Sequence, residues 1–113
     1  MIAFNATSGR VIADRVARAD DAASRTRGLL GRSGMEAGEG LWLLPCPMIH
    51  TFFMKFSIDV LFLSRQWRVL KVMENLKPWR ISPYVFGAHS VLELPGGSLK
   101  GSVAAGHTIE FKP

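Results

Sequence analysis

Cysteine is almost missing from this chain of 113 residues: Cys46 stands alone, so no internal disulfide can form and the fold must be held by packing. Long apolar runs are missing too. Leu41–Leu44 and Val60–Leu63 fall far below the roughly 20 residues a helix needs to cross a bilayer, which argues against a membrane span. Met1 to Arg10 contain no basic segment followed by an apolar one, so no secretory leader is visible and a cytoplasmic location is expected. No internal repeat, low-complexity tract or linker breaks the chain. Paired carboxylates for glycoside hydrolysis, a phosphate-cradling glycine loop, HExxH and GxSxG are also absent. Gly96-Gly97 follows a proline in a turn and is not a phosphate loop.

What is present is ordinary globular material. The chain is 48% hydrophobic and 20% charged, outside the range of disordered chains, and its length suits one domain over residues 1–113. Acidic residues are the scarcer charge, nine against fourteen Lys and Arg, for a net charge of +5. Six of the basic residues (Arg10, Arg15, Arg18, Arg25, Arg27 and Arg32) lie in the N-terminal third. Asp14, Asp20 and Asp21 are interleaved with them and no aromatic residue stands between to stack on a base, which argues against nucleic acid as the partner. A structural or interaction protein joined to a partner through this basic third is one open reading.

Glycine and proline punctuate the chain at intervals suited to strands. Ile2–Phe4 and Val11–Val16 read as strands around the turn Thr7–Arg10. Asp20 or Asp21 then offers an N-cap, and Ala22, Ala23, Thr26, Leu29 and Leu30 make an apolar helical stripe ended by Gly31. Leu41–Leu44 is a strand stopped by Pro45. Ile49–Met54 and Ile58–Leu63 are apolar on both faces and are expected as central strands. Ser64–Trp67 connects to Val69–Met73. Pro78 and Pro83 break the next stretch, where Trp79 and Tyr84 are expected to clamp onto the core. Val91–Leu94 leads into the turn Pro95-Gly-Gly97, and His107–Lys112 alternates with Ile109 and Phe111 inward. Seven or eight strands, one short N-terminal helix and no βαβ alternation predict a mainly β domain, a sandwich or partly closed barrel.

Several separated motifs add a resemblance. Arg25-Thr-Arg-Gly-Leu-Leu30, Cys46 through Ile49-His-Thr51, Ile58-Asp-Val-Leu-Phe62, Pro78-Trp-Arg80 and Val91-Leu-Glu-Leu-Pro-Gly-Gly97 occur in the order found in the bacterial and archaeal family called domain of unknown function 192. The similarity covers Ala19 to Phe111, in a variant carrying Ile-His-Thr. It implies a mainly β, jelly-roll-like domain and no established activity. Gly106-His107 stands where the family usually has Gly-Asp.

The candidate chemistry concentrates between Pro45 and Phe62. Cys46, His50 and Met54 stand four apart, and thiolate, imidazole and thioether together suit a soft ion. On an extended strand at about 3.3 Å per residue, however, neighbours four apart lie about 13 Å from each other, so neither a metal site nor another cofactor is expected. The same spacing separates a Cys46–His50 nucleophile pair, although His89 or His107 can approach from another strand. Cys46 then reads as a small buried hydrophobe and Met54 as a core filler.

Asp59, at the head of an apolar strand, must be paired, hydrogen-bonded or at a rim, with His50, Arg80 and Lys55 as candidate partners. Glu93 within Val91–Leu94 has the same need. In a structural reading the two acids fix loops by accepting backbone N–H groups. In a functional one they line a pocket with His50, Thr51, Trp79 and Arg80 that holds a small polar or anionic molecule. Loops Pro45–His50 and Lys77–Tyr84 would form its mouth. The expected role is a non-catalytic ligand- or partner-binding domain. The alternative is a hydrolase- or transferase-type enzyme using His50 and Asp59 as an acid–base pair.

Overall fold

Two strands that are apolar on both faces organise the molecule. A computed structural model describes every residue from Met1 to Pro113. Its elements are β1 (Ile2–Asn5), β2 (Arg10–Ala13), β3 (Arg15–Ala19), α1 (Ala22–Arg27), β4 (Glu39–Leu43), β5 (Ile58–Leu63), β6 (Val69–Leu76), β7 (Ser90–Pro95) and β8 (Ile109–Lys112). They form two open sheets, one ordered β2-β1-β8 and the other β3-β4-β7-β5-β6. The fold is mainly β, and neither sheet closes into a barrel.

β5 and β7 lie inside the larger sheet, antiparallel to each other with Asp59 opposite Leu94 and Val60 opposite Glu93. Because side chains alternate across a strand, each strand feeds two cores. Leu61, Leu63, Leu92 and Leu94 join Ala3, Ala13, Trp42 and Ile109 in a cluster that takes residues from both sheets. Ile58, Val60, Phe62 and Val91 point the other way and pack with Leu29, Ile49, Met54 and Leu76 under the connecting loops. Burial on both faces explains why these strands read as continuous apolar runs.

The expected strand at Val11–Val16 is two strands, split at Asp14, because β2 pairs with β1 while β3 joins the other sheet. β3 and β4 run parallel, so one β-α-β crossover exists where none was expected. A parallel pair needs such a long return, and α1 with residues 28–38 supplies it. Asp21 caps α1 by accepting the Ser24 N–H at 2.7 Å. The helix stops at Gly28 (φ 45°), three residues before Gly31.

Ile49–Met54 corrects a larger expectation, since it is not a central strand. Only His50 makes a β-bridge, to Ile81, after which the chain reverses through Phe52-Phe53 and the Met54 N–H donates to the Thr51 carbonyl at 3.2 Å. Hydrophobicity and β-branching signalled burial correctly for Ile49, Thr51 and Met54, but the neighbouring segments β5 and β7 already pair with each other and leave this one to cap the sheet. Trp79 and Tyr84 also differ from expectation: they do not clamp the core but are 56% and 64% exposed. At the end of β8, Ile109 is buried and Phe111 stacks on Trp42 at 3.8 Å, in line with the alternating pattern.

A cleft over a buried carboxyl

On the loop-covered face of the larger sheet a cleft of about 190 Å³ opens between Arg25–Leu30 and Pro45–His50. Leu43, Met54 and Glu93 form its floor. Strand alternation puts Glu93 there, since Leu92 and Leu94 on either side point into the other core. Burial of a carboxylate without a partner favours its neutral form. Glu93 is 4% exposed, receives no hydrogen bond or ion pair from the protein, and its carboxyl is pushed up from 4.5 to about 8 by burial alone. Near neutral pH it therefore holds a proton, and its O–H and carbonyl face the cleft without protein partners.

The wall above it carries two further polar groups. Cys46 donates its thiol hydrogen to the Met48 carbonyl at 3.1 Å. Burial pushes this thiol above its usual 9.0; the hydrogen bond to Met48 opposes the shift, nearby Glu93 adds to it and Arg25 counters it. Arg25, on α1, spans the other side: its Nη1 donates to the Asp20 carbonyl at 3.0 Å and to the Leu44 carbonyl at 3.4 Å. A guanidinium has five donors, so others remain for a ligand. The apolar remainder comes from Leu29, Ile49 and Met54. Such a space fits a small molecule with an apolar body, a group that hydrogen-bonds to an undissociated acid, and an anionic end.

The six expected site residues separate. Glu93 and His50 line the cleft, while Thr51, Asp59, Trp79 and Arg80 do not. His50 sits exposed at the rim; its ring packs on Phe52 at 5.0 Å and its Nδ1 accepts the Phe52 N–H at 3.3 Å. Asp59 meets none of its expected partners. Its Oδ1 accepts the N–H groups of Asn75 (2.8 Å) and Gly97 (2.9 Å), and its Oδ2 accepts that of Leu99 (2.9 Å). This is the loop-fixing geometry, and it leaves no His50–Asp59 hydrogen bond for acid–base work. Thr51 is a clip: fully buried, it donates its hydroxyl to the Lys77 carbonyl at 2.6 Å and accepts the Arg80 N–H at 2.9 Å. Trp79 and Arg80 lie on the loop so held, outside the cleft, so Lys77–Tyr84 does not form its mouth.

Cys46, His50 and Met54 all line the cleft, Met54 because the chain turns back at Phe52-Phe53. No group of three His, Cys, Asp or Glu side chains stands close enough to hold a metal ion. His89 and His107 stay away from the cleft, and the His107 ring is hydrogen-bonded through Nδ1 to the Asn5 side chain at 3.0 Å. Arg25 is the site residue that sequence reasoning missed. Its signal was the run Arg25-Thr-Arg-Gly-Leu-Leu30, whose charged start and apolar end form one wall.

Comparison with known proteins gives a consistent family. The model of the family described as an uncharacterised ACR, domain of unknown function 192, matches residues 3–111, which takes in β1 to β3 ahead of Ala19. A UPF0127 protein of Thermococcus sibiricus is 35% identical over 99 residues, 83% of this chain and 63% of the relative. A UPF0127 protein of Pyrococcus horikoshii is 49% identical over 55 residues, 49% of this chain and 46% of its own. The chain thus spans less than two thirds of the length of these curated relatives. Among solved structures, a protein of unknown function from Novosphingobium aromaticivorans matches with a TM-score of 0.83 at 24% identity, over 97% of this chain and 83% of that one. A candidate transcription regulator from Sinorhizobium meliloti matches with a TM-score of 0.81 at 27% identity, over 96% and 89%.

Proposed function

This chain belongs to the family called domain of unknown function 192, and we propose that within it the protein is a small-ligand-binding β domain whose site is the cleft over Glu93. In this reading the two sheets are the layers of a jelly-roll-like sandwich, residues 1–113 act as one domain, and the loops over the larger sheet carry the site. The observation that carries it is the unpartnered Glu93 carboxyl, 4% exposed at the bottom of a solvent-reachable cleft. Because the cleft is open to solvent, a ligand that replaces water on this carboxyl gains the net contribution of a hydrogen bond, about 0.5–1.5 kcal/mol. Arg25 would hold an anionic end of the same ligand by paired N–H donation.

Native mass spectrometry of gently purified protein tests this. A bound small molecule is expected with the wild type, weakened in Glu93→Gln and lost in Arg25→Ala, with circular dichroism unchanged. Retention of the ligand in both folded variants would remove the cleft from the proposal. A wild type that is bare, and whose amide signals from Leu29, Cys46 and Glu93 do not move in a fragment screen by NMR, would remove ligand binding itself.

A further inference from the structure

A second surface, independent of the cleft floor, is built where the Thr51–Met54 turn meets the Lys77–Ile81 loop. Its base is rigid. Thr51 binds the loop through its side chain, and through its backbone it donates N–H to the Arg80 carbonyl at 2.8 Å and accepts the Trp79 N–H at 2.9 Å. On this base stand Phe53 (70% exposed), Trp79 (56%) and Ile81 (58%), with Phe52 beside them. Phe53 and Trp79 pack on each other at 4.6 Å, and both have left-handed backbones, at φ 65° and 63°. Bulky residues rarely adopt that conformation, which glycine or asparagine would hold at less cost. Neither ring is needed in the core, so the arrangement serves to present them outward.

The two segments that carry the rings hold charge of one sign. Lys55, Lys77 and Arg80 are exposed and none is in an ion pair. No Asp or Glu occurs in residues 50–58 or 77–89. Tyr84 and Phe86 continue the exposed apolar series on the second segment. From this combination we infer that the face formed by Phe53, Trp79 and Ile81, framed by Lys55, Lys77 and Arg80, docks peripherally on an anionic lipid bilayer. Aromatic rings settle at headgroup depth, and cations close by attract acidic lipids. Nucleic acid fits less well, because base stacking needs free ring faces. Here His50 lies on Phe52 with 26° between the planes, and Trp79 lies against Phe53.

Flotation with lipid vesicles tests the inference. The full chain is expected to float with vesicles of phosphatidylcholine and phosphatidylglycerol, to stay behind with phosphatidylcholine alone, and to lose binding as salt is raised. The double variant F53N/W79N, whose asparagines tolerate the left-handed backbone, should bind at least tenfold more weakly, as should K55E/R80E. Trp42 is buried and Trp67 packs against the core, so a blue shift of tryptophan emission on binding should come from Trp79 and vanish in Trp79→Asn. Failure to float with anionic vesicles would overturn the inference, as would equal binding to neutral ones. Tighter, patch-dependent binding of a single-stranded oligonucleotide would overturn it in favour of nucleic acid. Self-association abolished by F53N/W79N would overturn it in favour of a second copy.

Discussion

Replacing Glu93 with glutamine should stabilise the protein, and by an amount that depends on pH. In the unfolded chain this carboxyl ionises near 4.5, whereas in the fold burial moves it to about 8. Below pH 4.5 it is protonated in both states and costs nothing through ionisation. As the pH rises from there through about 8, the unfolded state releases a proton that the folded state retains, so stability is progressively lost. At pH 7 the loss is about 3 kcal/mol, and above pH 8 it approaches about 5 kcal/mol, at 1.36 kcal/mol per pH unit. Glutamine is a neutral near-isostere and carries no such loss. Urea titrations of wild type and Glu93→Gln at pH 4, 5.5, 7 and 8.5 should therefore give stabilities that coincide at the lowest pH and diverge upward, and thermal melts at pH 7 should show a gain in Tm of roughly 10 °C for the variant. Other titrating groups are common to both proteins and cancel in the difference. A stability difference independent of pH, or a less stable variant at pH 7, would mean that the carboxylate is ionised in the fold and has a partner, and the argument for a ligand at this cleft would fail.

Asp59→Asn should destabilise the fold by about 3 kcal/mol in urea, because an amide NH₂ would then oppose one of the three backbone N–H groups the carboxylate now accepts; a neutral result would show that this acid does not anchor the loops. Gly96→Ala should cost about 1–3 kcal/mol, since its Cβ would lie 2.8 Å from the Ser57 carbonyl oxygen, whereas Gly34→Ala, with open space around it, should be silent; equal melting of both variants would refute the close approach.

The mainly β character was legible because a strand buried on one face alternates with a period of two, and one buried on both faces reads as a short apolar run bounded by turns. Ile58–Leu63 emerges with the expected bounds, and in β8 Ile109 is buried where alternation put it. Ile49–Met54 misled because apolar, β-branched residues serve equally well in a strand and in a loop that covers a sheet. What separates the two is whether a neighbouring edge is free to pair, and β7 fills that place beside β5. The same limit hid the parallel β3–β4 pair, which depends on where the chain returns after α1. Of the residues expected from their types to line a polar pocket, Glu93 and His50 line the cleft. Residue types did not reveal that Asp59 faces the opposite core or that Thr51 is consumed as a clip, because both outcomes turn on strand parity and loop closure.

Asp59 and Glu93 carry the physical lesson of the larger sheet. They occupy adjacent strands within one residue of register, since Val60 is the partner of Glu93, and both are almost fully buried. Parity sends them to opposite faces. On the Asp59 side, the chain leaving β7 turns at Pro95-Gly-Gly97 and delivers the N–H groups of Gly97 and Leu99, so the charge is solvated by the backbone. On the Glu93 side, the covering segment is Pro45-Cys-Pro47, whose two prolines have no N–H to offer and whose cysteine N–H is already donated to the His89 carbonyl at 2.8 Å. The donors that would satisfy Glu93 are therefore withheld by the very segment that walls the cleft. A covering segment with no free N–H leaves the acid undissociated, and in the proposed reading it leaves that acid available to a ligand with its own complementary group.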